Sequence, residues 1–117
     1  MLNPFRFLAI LLSFLGTLGW VLAFLVVCFF ALAALLYFAE LHQHFPNSPQ
    51  GFGEVLYLSA VTALTVGYGD LVPHTAIGRC LSLLLALQGI ILTGIFAAAA
   101  VKSLEVQYRE KSQAPRE

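Results

Sequence analysis

An uncharged run that is too long for one straight membrane crossing is the dominant feature of this sequence. From Phe7 to Ala39 no residue carries a charge. As a single α-helix the run would be about 50 Å long at ~1.5 Å per residue, whereas the hydrocarbon core of a bilayer is roughly 30 Å thick. Secretory signals have a far shorter apolar core of roughly 7–15 residues. We therefore interpret the run as retained membrane structure that is tilted, broken or partly lying flat.

The composition is also that of a membrane protein. Of the 117 residues, 60% are hydrophobic and 10% are charged, whereas about 25% of residues are charged in soluble domains. A chain this small cannot bury so much apolar surface in a core of its own. Because the formal net charge is zero, no nucleic-acid partner is expected. Cys28 and Cys80 lie in apolar stretches and are interpreted as inert buried thiols.

Glycines offer the weakest helical positions within the first apolar run. Gly16 and Gly19 lie about one third of the way along the run. Glycine destabilises a helix interior. We predict an interfacial segment at about 3–14 and a first spanning helix, the outer helix, at 15–40. A single long, tilted helix is the alternative that the sequence leaves open.

The second half of the chain contains a short and a long apolar segment. Segment 52–64 is too short to span a bilayer and fits a re-entrant helix that enters the membrane partway. Glu54 lies in its first turn, where a carboxylate offsets the positive end of the helix dipole. Glycines and a proline end this helix, and a second spanning helix, the inner helix, is predicted at 75–101. Residues 102–117 are predicted to form a polar cytoplasmic tail.

Basic residues indicate the orientation of the chain in the membrane. Arg6 precedes the first span, and residues 41–74 contain no Lys or Arg. The basic residues after the second span are Lys102, Arg109, Lys111 and Arg116. Because basic residues favour the cytoplasmic side, we expect a multi-pass protein of the plasma (inner) membrane. Both termini should be cytoplasmic, with the re-entrant segment on the outer side.

The stretch Thr-Val-Gly-Tyr-Gly-Asp at 65–70 is the candidate functional segment. Irregular backbone at membrane depth is tolerated only where it is buried in protein or lines water, so a short helix leading into this segment indicates a pore. A dehydrated monovalent cation needs oxygen ligands in place of water. Consecutive backbone carbonyls can supply them if alternate residues accept positive φ, as Gly67 and Gly69 do. The Thr65 hydroxyl can add one further ring of oxygens.

One chain supplies only one column of carbonyl groups, so several chains must surround the pore axis. Four copies give a square of oxygens at each level, which suits potassium. Since the sequence has a single re-entrant segment, we expect a homotetramer embedded in membrane lipid, with K⁺ as the permeant ion. The predicted fold is an all-α integral membrane protein in which two transmembrane helices flank a re-entrant pore helix and a selectivity-filter loop, assembled with four-fold symmetry.

The hexapeptide at 65–70 is the potassium-channel signature, and residues 52–100 resemble the pore domain of that family. The whole chain looks like the minimal prokaryotic type, with an outer helix, a pore helix, a filter and an inner helix. The resemblance implies passive, selective flow of K⁺ down its electrochemical gradient. It also implies that backbone carbonyls and one hydroxyl bind K⁺, from Thr65, Val66, Gly67, Tyr68 and Gly69.

Three residues beside the filter are expected to support it. Asp70 stands at the filter mouth, and Val61 occupies a position where some bacterial members of the family have a glutamate that bonds to this aspartate. Tyr57 replaces one of the usual tryptophans of the pore helix. We hypothesise that the Tyr57 hydroxyl reaches Asp70 and braces the outer mouth. Simple packing of Tyr57 is the alternative.

The candidate gate lies on the inner helix. The resemblance makes Gly89 a candidate hinge, with Gly94 further along the same helix. Close helix packing through small residues is the alternative role for these glycines. Ala97 and Ala100 are small and apolar, and four such faces that converge could close the pore by dewetting.

Three other functions remain open at this point. A nonselective cation pore would have the same architecture, although the intact Tyr68 and Asp70 argue against it. A subunit without conductance of its own is the second alternative. An enzyme is the third, but the sequence has no Ser/His/Asp order, metal-ligand spacing or phosphate loop, so we expect no catalytic residue and no small-molecule substrate. His42 and His44 are interpreted as surface residues rather than metal ligands.

Overall fold

Helices make up most of the chain. The computed structural model of the protein describes residues 3–42 and 44–113. Its helices are α1 (Pro4–Thr17), α2 (Gly19–Glu40), α3 (Phe52–Ala63) and α4 (Ala76–Gln113). No strand occurs within these described ranges. The predicted all-α class is therefore confirmed.

The first apolar run is divided at Leu18. This residue leaves the helical conformation, with φ −88° and ψ 7°, between the flanking glycines that weaken the helix. The N–H groups of Val21 and Leu22 both donate to the Leu18 carbonyl, at 3.0 and 3.1 Å, as α2 begins. The alternative of one unbroken helix is therefore wrong. The outer helix begins at Gly19 rather than at 15, because residues 15–17 still belong to α1.

The two helices of the first run lie antiparallel to α4 along its whole length. At one end of this pair the Glu40 carboxylate meets the backbone of Thr75. Near the middle the Gln88 amide donates to the Leu25 carbonyl. At the other end the Arg6 guanidinium lies 3.5 Å from the Glu110 carboxylate. The molecule is consequently long and narrow, with extents of 72 × 26 × 20 Å. α1 runs beside α4, and the interfacial position expected for 3–14 stays a prediction about membrane depth.

The inner helix is longer than the predicted 75–101. α4 begins at Ala76 and continues to Gln113, so most of the expected tail, 102–117, extends the helix; residues 114–117 lie outside the described residues. The extension contains good helix formers and no Gly or Pro up to residue 113. Ser103 and Gln107, one turn apart, are buried where α1 packs on α4. An ion pair between Glu105 and Arg109, at 3.3 Å, lies on the exposed side.

A small core joins the C-terminal half of α2, α3 and the N-terminal part of α4. Its buried side chains are Leu36 from α2, Val55 and Leu58 from α3, and Leu85 from α4. Most other large apolar side chains of α2 and α4 remain exposed; Trp20, for example, is 91% exposed. Both helices are long and apolar enough to cross a membrane. Lipid or neighbouring subunits are the surroundings in which such surfaces are stable.

Candidate functional site

α3 ends at the segment that the sequence singled out. The helix begins after Gly51, where the backbone N–H of Gln50 donates to the Glu54 carboxylate at 2.7 Å. This bond satisfies a donor at the helix start in the manner of a capping box. α3 ends at Ala63, one residue before the predicted boundary, because Leu64 is its C-cap.

The chain leaves α3 through a Schellman motif. The Val66 N–H donates to the Val61 carbonyl at 3.0 Å, and the Thr65 N–H donates to the Thr62 carbonyl at 3.0 Å. In this motif the residue after the C-cap adopts the left-handed conformation, and Thr65 does so with φ 59°. A glycine usually occupies that position, so the residue type gave no signal for it. The left-handed conformation of Thr65 follows instead from the way α3 ends just before it.

Left-handed backbone alternates with other conformations along the candidate segment. After Thr65, Gly67 has φ 57° and Gly69 has φ 75°. In an ordinary strand successive carbonyls point to opposite sides. Turning every second residue into the left-handed region brings them towards the same side. This alternation of φ is the one expected if the carbonyls of residues 65–69 face a common side, and two of its three left-handed positions are those that the sequence predicted.

Two large side chains of the segment are left uncovered by their own chain. Val66 is 50% exposed and Tyr68 is 71% exposed. Side chains at these two positions brace the loop only where protein covers them. Within one copy of the chain that protein is lacking around Tyr68. Any surface that covers these side chains must therefore come from elsewhere.

The supporting residues contact the segment in different ways. Val61 acts through its backbone, because its carbonyl accepts the N–H groups of Val66 at 3.0 Å and Gly67 at 3.3 Å. Tyr57, on α3, has the Asp70 carboxylate as a side-chain hydrogen-bond partner, and this contact raises the pKa of the Tyr57 phenol above its ordinary value. A Tyr57 hydroxyl directed at Asp70 is the hypothesis made from the sequence, and its role in bracing the outer mouth stays a prediction.

A buried carboxylate that sequence reasoning missed anchors the start of α4. Glu40 is 1% exposed and accepts hydrogen bonds from the His74 N–H at 3.0 Å, the Thr75 N–H at 3.0 Å and the Thr75 hydroxyl at 2.6 Å. The Thr75 hydroxyl in turn accepts from the Gly78 N–H at 2.8 Å. A Cβ at Gly78 would lie 2.8 Å from that hydroxyl oxygen and would also collide with Glu40. The available signal was one acidic residue at the end of an otherwise uncharged helix.

The predicted gate residues fall on different faces of α4. Gly89 is buried, and a Cβ there would lie 2.6 Å from the Ala63 Cα at the end of α3. This close approach is the packing role that the sequence left as an alternative. Gly94 has no heavy atom near its Cβ position, and Ala97 is exposed. Ala100 is half-buried.

Comparison with known proteins places this arrangement in a family. Residues 24–106 match a family model described as "Ion channel". Human and mouse potassium voltage-gated channel subfamily A member 10 are each 29% identical over 99 residues, which cover 82% of this chain and 19% of theirs. Human potassium voltage-gated channel subfamily KQT member 4 is 33% identical over 97 residues, which cover 80% of this chain and 13% of that protein.

The chain spans less than a fifth of the length of these relatives. The matched region begins in α2 and extends through α3, the segment at 65–70 and most of α4. It covers most of each of the two helices that are able to span a membrane, so the protein is a multi-pass membrane protein. Ion channels are generally oligomeric and are not enzymes. Because the family model covers more than half of its residues, the chain belongs to the ion-channel family.

Proposed function

We propose that this chain is the pore-forming subunit of a potassium-selective channel that conducts K⁺ passively down its electrochemical gradient. The observation that carries the proposal is the alternation of left-handed backbone at Thr65, Gly67 and Gly69, which directs consecutive carbonyls to one side. The relatives named above are potassium channels by name.

In this proposal the backbone oxygens of residues 65–69 bind the ion. Carbonyl oxygens are neutral, and they replace the water of a monovalent cation without holding it too tightly to leave. The proposed K⁺ ligands are the carbonyls of Thr65, Val66, Gly67, Tyr68 and Gly69, together with the Thr65 hydroxyl. The contact of Tyr57 with Asp70 and the Val61 carbonyl hold the two ends of this filter against α3.

A homotetramer completes the filter. One chain provides one column of oxygens, whereas four columns around an axis provide a square of ligands at each level. The exposed Val66 and Tyr68 side chains support such an assembly, since a neighbouring copy can cover them. Membrane lipid surrounds the outer helices in this arrangement.

An exposed stripe on α4 is the proposed lining of the pore below the filter. Its members recur at alternating intervals of four and three residues, so they share one face of the helix. They are Leu83, Leu87, Ile90, Gly94, Ala97 and Val101, and all are exposed. Ala97 therefore remains the candidate constriction, with Ala100 beside it. Helix bending at Gly94 meets no neighbouring atoms, so Gly94 is the proposed hinge. Bending at Gly89 would have to break the close contact between α4 and Ala63 of α3.

The basic residues support a plasma-membrane protein with both ends of the chain in the cytoplasm. Arg6 and Glu110 form an ion pair at one end of the molecule. Lys102 and Arg109 lie towards the same end, whereas the proposed filter lies towards the other end. This distribution follows the preference of Lys and Arg for the cytoplasmic side. Protease protection of the α4 end in sealed, right-side-out vesicles tests this orientation.

Reconstitution of the purified chain into liposomes tests the function. We expect a tetramer, K⁺ efflux down a gradient, and a reversal potential that follows K⁺ rather than Na⁺. Equal permeability to both ions would indicate a nonselective pore. A protein that assembles without any flux would indicate a nonconducting subunit. Either result contradicts the proposal.

A matched pair of glycine variants shows whether any flux passes through the filter. Gly69→Ala places a side chain at φ 75°, where L-residues are strained, and should reduce K⁺ flux at least tenfold or abolish selectivity. Gly53→Ala lies in α3 with open space around it and should leave flux unchanged. Equal effects of both variants would contradict the assignment of the filter.

A further inference from the structure

The loop before α3 contacts the segment that follows the proposed filter. The Val72 N–H donates to the Asn47 carbonyl at 2.9 Å. The Phe45 ring stacks on the His74 ring, and the two ring centroids are 4.9 Å apart. Both contacts fall just after the proposed filter in the sequence. The loop 45–50 therefore meets the chain where it leaves the filter.

A type II turn gives this loop its shape. The Ser48 N–H donates to the Phe45 carbonyl at 3.1 Å, so residues 45–48 form a β-turn. Asn47 has φ 66°, whereas the ring of Pro46 before it restricts that residue to negative φ. Positive φ at the third residue alone is characteristic of a type II turn. Proline followed by glycine or asparagine is the pair that this turn favours.

The turn is attached to the start of α3. Ser48 is buried, and its hydroxyl donates to the Phe45 carbonyl at 2.8 Å. The Gln50 amide donates to the Ser48 hydroxyl at 2.9 Å. The Gln50 N–H donates to the Glu54 carboxylate in the first turn of α3, at 2.7 Å. The turn is thus a fixed point for the segment that it contacts.

Asn47 contributes to this contact through its backbone. Its side chain is exposed and forms no hydrogen bond within the described ranges of the chain. The direction of its carbonyl depends on left-handed φ, which asparagine tolerates and β-branched residues disfavour. A residue that forces negative φ would turn the carbonyl away from the Val72 N–H. Position 47 therefore requires a backbone conformation rather than an amide side chain.

We propose that Asn47 is a positioning residue of the filter, because its left-handed carbonyl fixes Val72 and so holds the outer mouth in its conducting shape. This inference rests on the proposed function. The Val61 carbonyl holds the inner end of the segment against α3, and the partner of Tyr57 at the outer end is Asp70. The bond from Asn47 adds an attachment beyond Asp70.

Loss of this attachment should matter most when K⁺ is scarce. The outermost proposed ligands, the carbonyls of Tyr68 and Gly69, lie nearest to Val72 in the sequence. Bound K⁺ favours the state in which these carbonyls are aligned, by mass action. With little K⁺ present, the protein's own bonds have to keep the alignment.

Decay of the K⁺ current through the full chain in planar bilayers tests the inference. Asn47→Val should speed the decay about fivefold at low external K⁺, the lower end of the penalty for left-handed backbone in residues other than glycine. High external K⁺ should reduce the difference. Asn47→Gly accepts φ 66° without strain and should decay as slowly as the unmodified protein. A role in folding alone would lower the number of active channels but not change their rate of decay.

Two further proteins show whether the bond itself is responsible. His44→Val places the same side chain at an exposed loop position without positive φ and should leave the decay unchanged. An ester in place of the peptide bond between residues 71 and 72 removes the Val72 N–H and alters no side chain. It should speed the decay as Asn47→Val does. The two changes combined should have no additional effect, because they act on one bond.

The outcomes separate this inference from the proposed function. Absence of K⁺-selective current from the unmodified protein would refute both. If that current is present, three results refute the inference alone. They are an ester protein that decays like the unmodified one, Asn47→Gly decaying as fast as Asn47→Val, and an equal effect of His44→Val. The ester result decides the matter even if Asn47→Val does not assemble.

Discussion

At the scale of single residues, two glycines of α4 have opposite surroundings although they are only five positions apart. A Cβ at Gly89 would lie 2.6 Å from the Ala63 Cα, whereas Gly94 has open space at the same atom. Both are interior positions of one helix, where alanine is favoured over glycine by roughly 0.5–1 kcal/mol. The difference between them is therefore one of packing rather than of helix propensity.

Alanine substitution should separate the two positions. Gly89→Ala should force α3 away from α4 and lower the thermal midpoint of the purified protein in detergent, because backbone atoms of Ala63 block the new methyl group. Gly94→Ala should leave the midpoint unchanged or raise it slightly. Circular dichroism at increasing temperature measures both. Similar midpoints for the two variants would contradict the close approach at Gly89.

The contact between Tyr57 and Asp70 should make stability depend on alkaline pH. Because this contact raises the pKa of Tyr57 in the folded protein, its contribution is fully present below the ordinary tyrosine pKa of about 10 and is lost as pH rises through the raised value. We expect the thermal midpoint of Tyr57→Phe to fall less between pH 9 and 11 than that of the unmodified protein.

The protein has four tyrosines, so a second variant is needed as a control. Tyr108→Phe removes a tyrosine on the exposed side of α4, 61% exposed, and should keep the full alkaline decrease. If Tyr57→Phe and the unmodified protein lose stability in parallel, the hydrogen bond to Asp70 contributes nothing.

Individual residues also show where sequence reasoning succeeds and where it fails. The positive φ of Gly67 and Gly69 could be predicted, because glycine tolerates this conformation. That of Thr65 could not, since a β-branched residue disfavours it. It is imposed by the helix end before it, through the bonds to Val61 and Thr62. The residue type alone carries no trace of that constraint.

At the scale of elements, the start of α4 is held by a carboxylate from α2. Glu40 accepts the N–H groups of His74 and Thr75 and the Thr75 hydroxyl, so it fixes the residue whose hydroxyl caps the first turn of α4. Acidic groups at helix N-termini also interact favourably with the helix dipole. This cluster joins the end of α2 to the start of α4, a few residues after the segment at 65–70.

Glu40→Gln should therefore destabilise the protein. The substitution removes the charge and turns one acceptor into a donor that faces other donors. Hydrogen bonds to charged groups contribute about 1.5–3 kcal/mol each, and we expect a loss of free energy of unfolding in that range, measured by denaturation in detergent. Glu105→Gln, which breaks an exposed ion pair, should change it by less than about 1 kcal/mol.

Element boundaries were predicted less well than element types. The break in the first run was expected near Gly16 and Gly19, and the structure has it at Leu18, between them. The end of α4 was placed at 101 because the apolar pattern stops there. The helix continues beyond that point beside α1, where Ser103 and Gln107 are buried and Arg6 pairs with Glu110, and no periodicity of the tail alone reveals such a partner.

At the scale of the whole molecule, one copy leaves most of its apolar surface uncovered. Leu83 and Tyr68 are each 71% exposed, and only a small core joins α2, α3 and α4. Stability should therefore depend on neighbouring copies and on any ion that they hold together. The sequence predicted the need for neighbours, but a single chain does not display their contacts.

Removal of K⁺ should weaken the proposed tetramer. A ligand that binds only the assembled state stabilises it by mass action, by about 2.7 kcal/mol at a hundred times its Kd. We expect the tetramer to dissociate at a lower temperature in Na⁺ than in K⁺ at equal ionic strength, as followed by gel electrophoresis after heating. Gly69→Ala should abolish the difference. Identical dissociation temperatures for the unmodified protein would contradict K⁺ binding between the copies.

The side-by-side course of the first run and α4 limits how the chain can change in length. Arg6 and Leu25 each contact a residue of α4, and Glu40 contacts Thr75 just before it, so the first run and α4 keep one alignment along their whole length. Each added helical residue turns what precedes it by about 100°. An extra residue beside Leu18 would leave α2 in place but rotate α1, so that Arg6 would no longer face Glu110 on α4. The spacing between Arg6 and Leu18 is thus as restricted as the identity of the residues that meet.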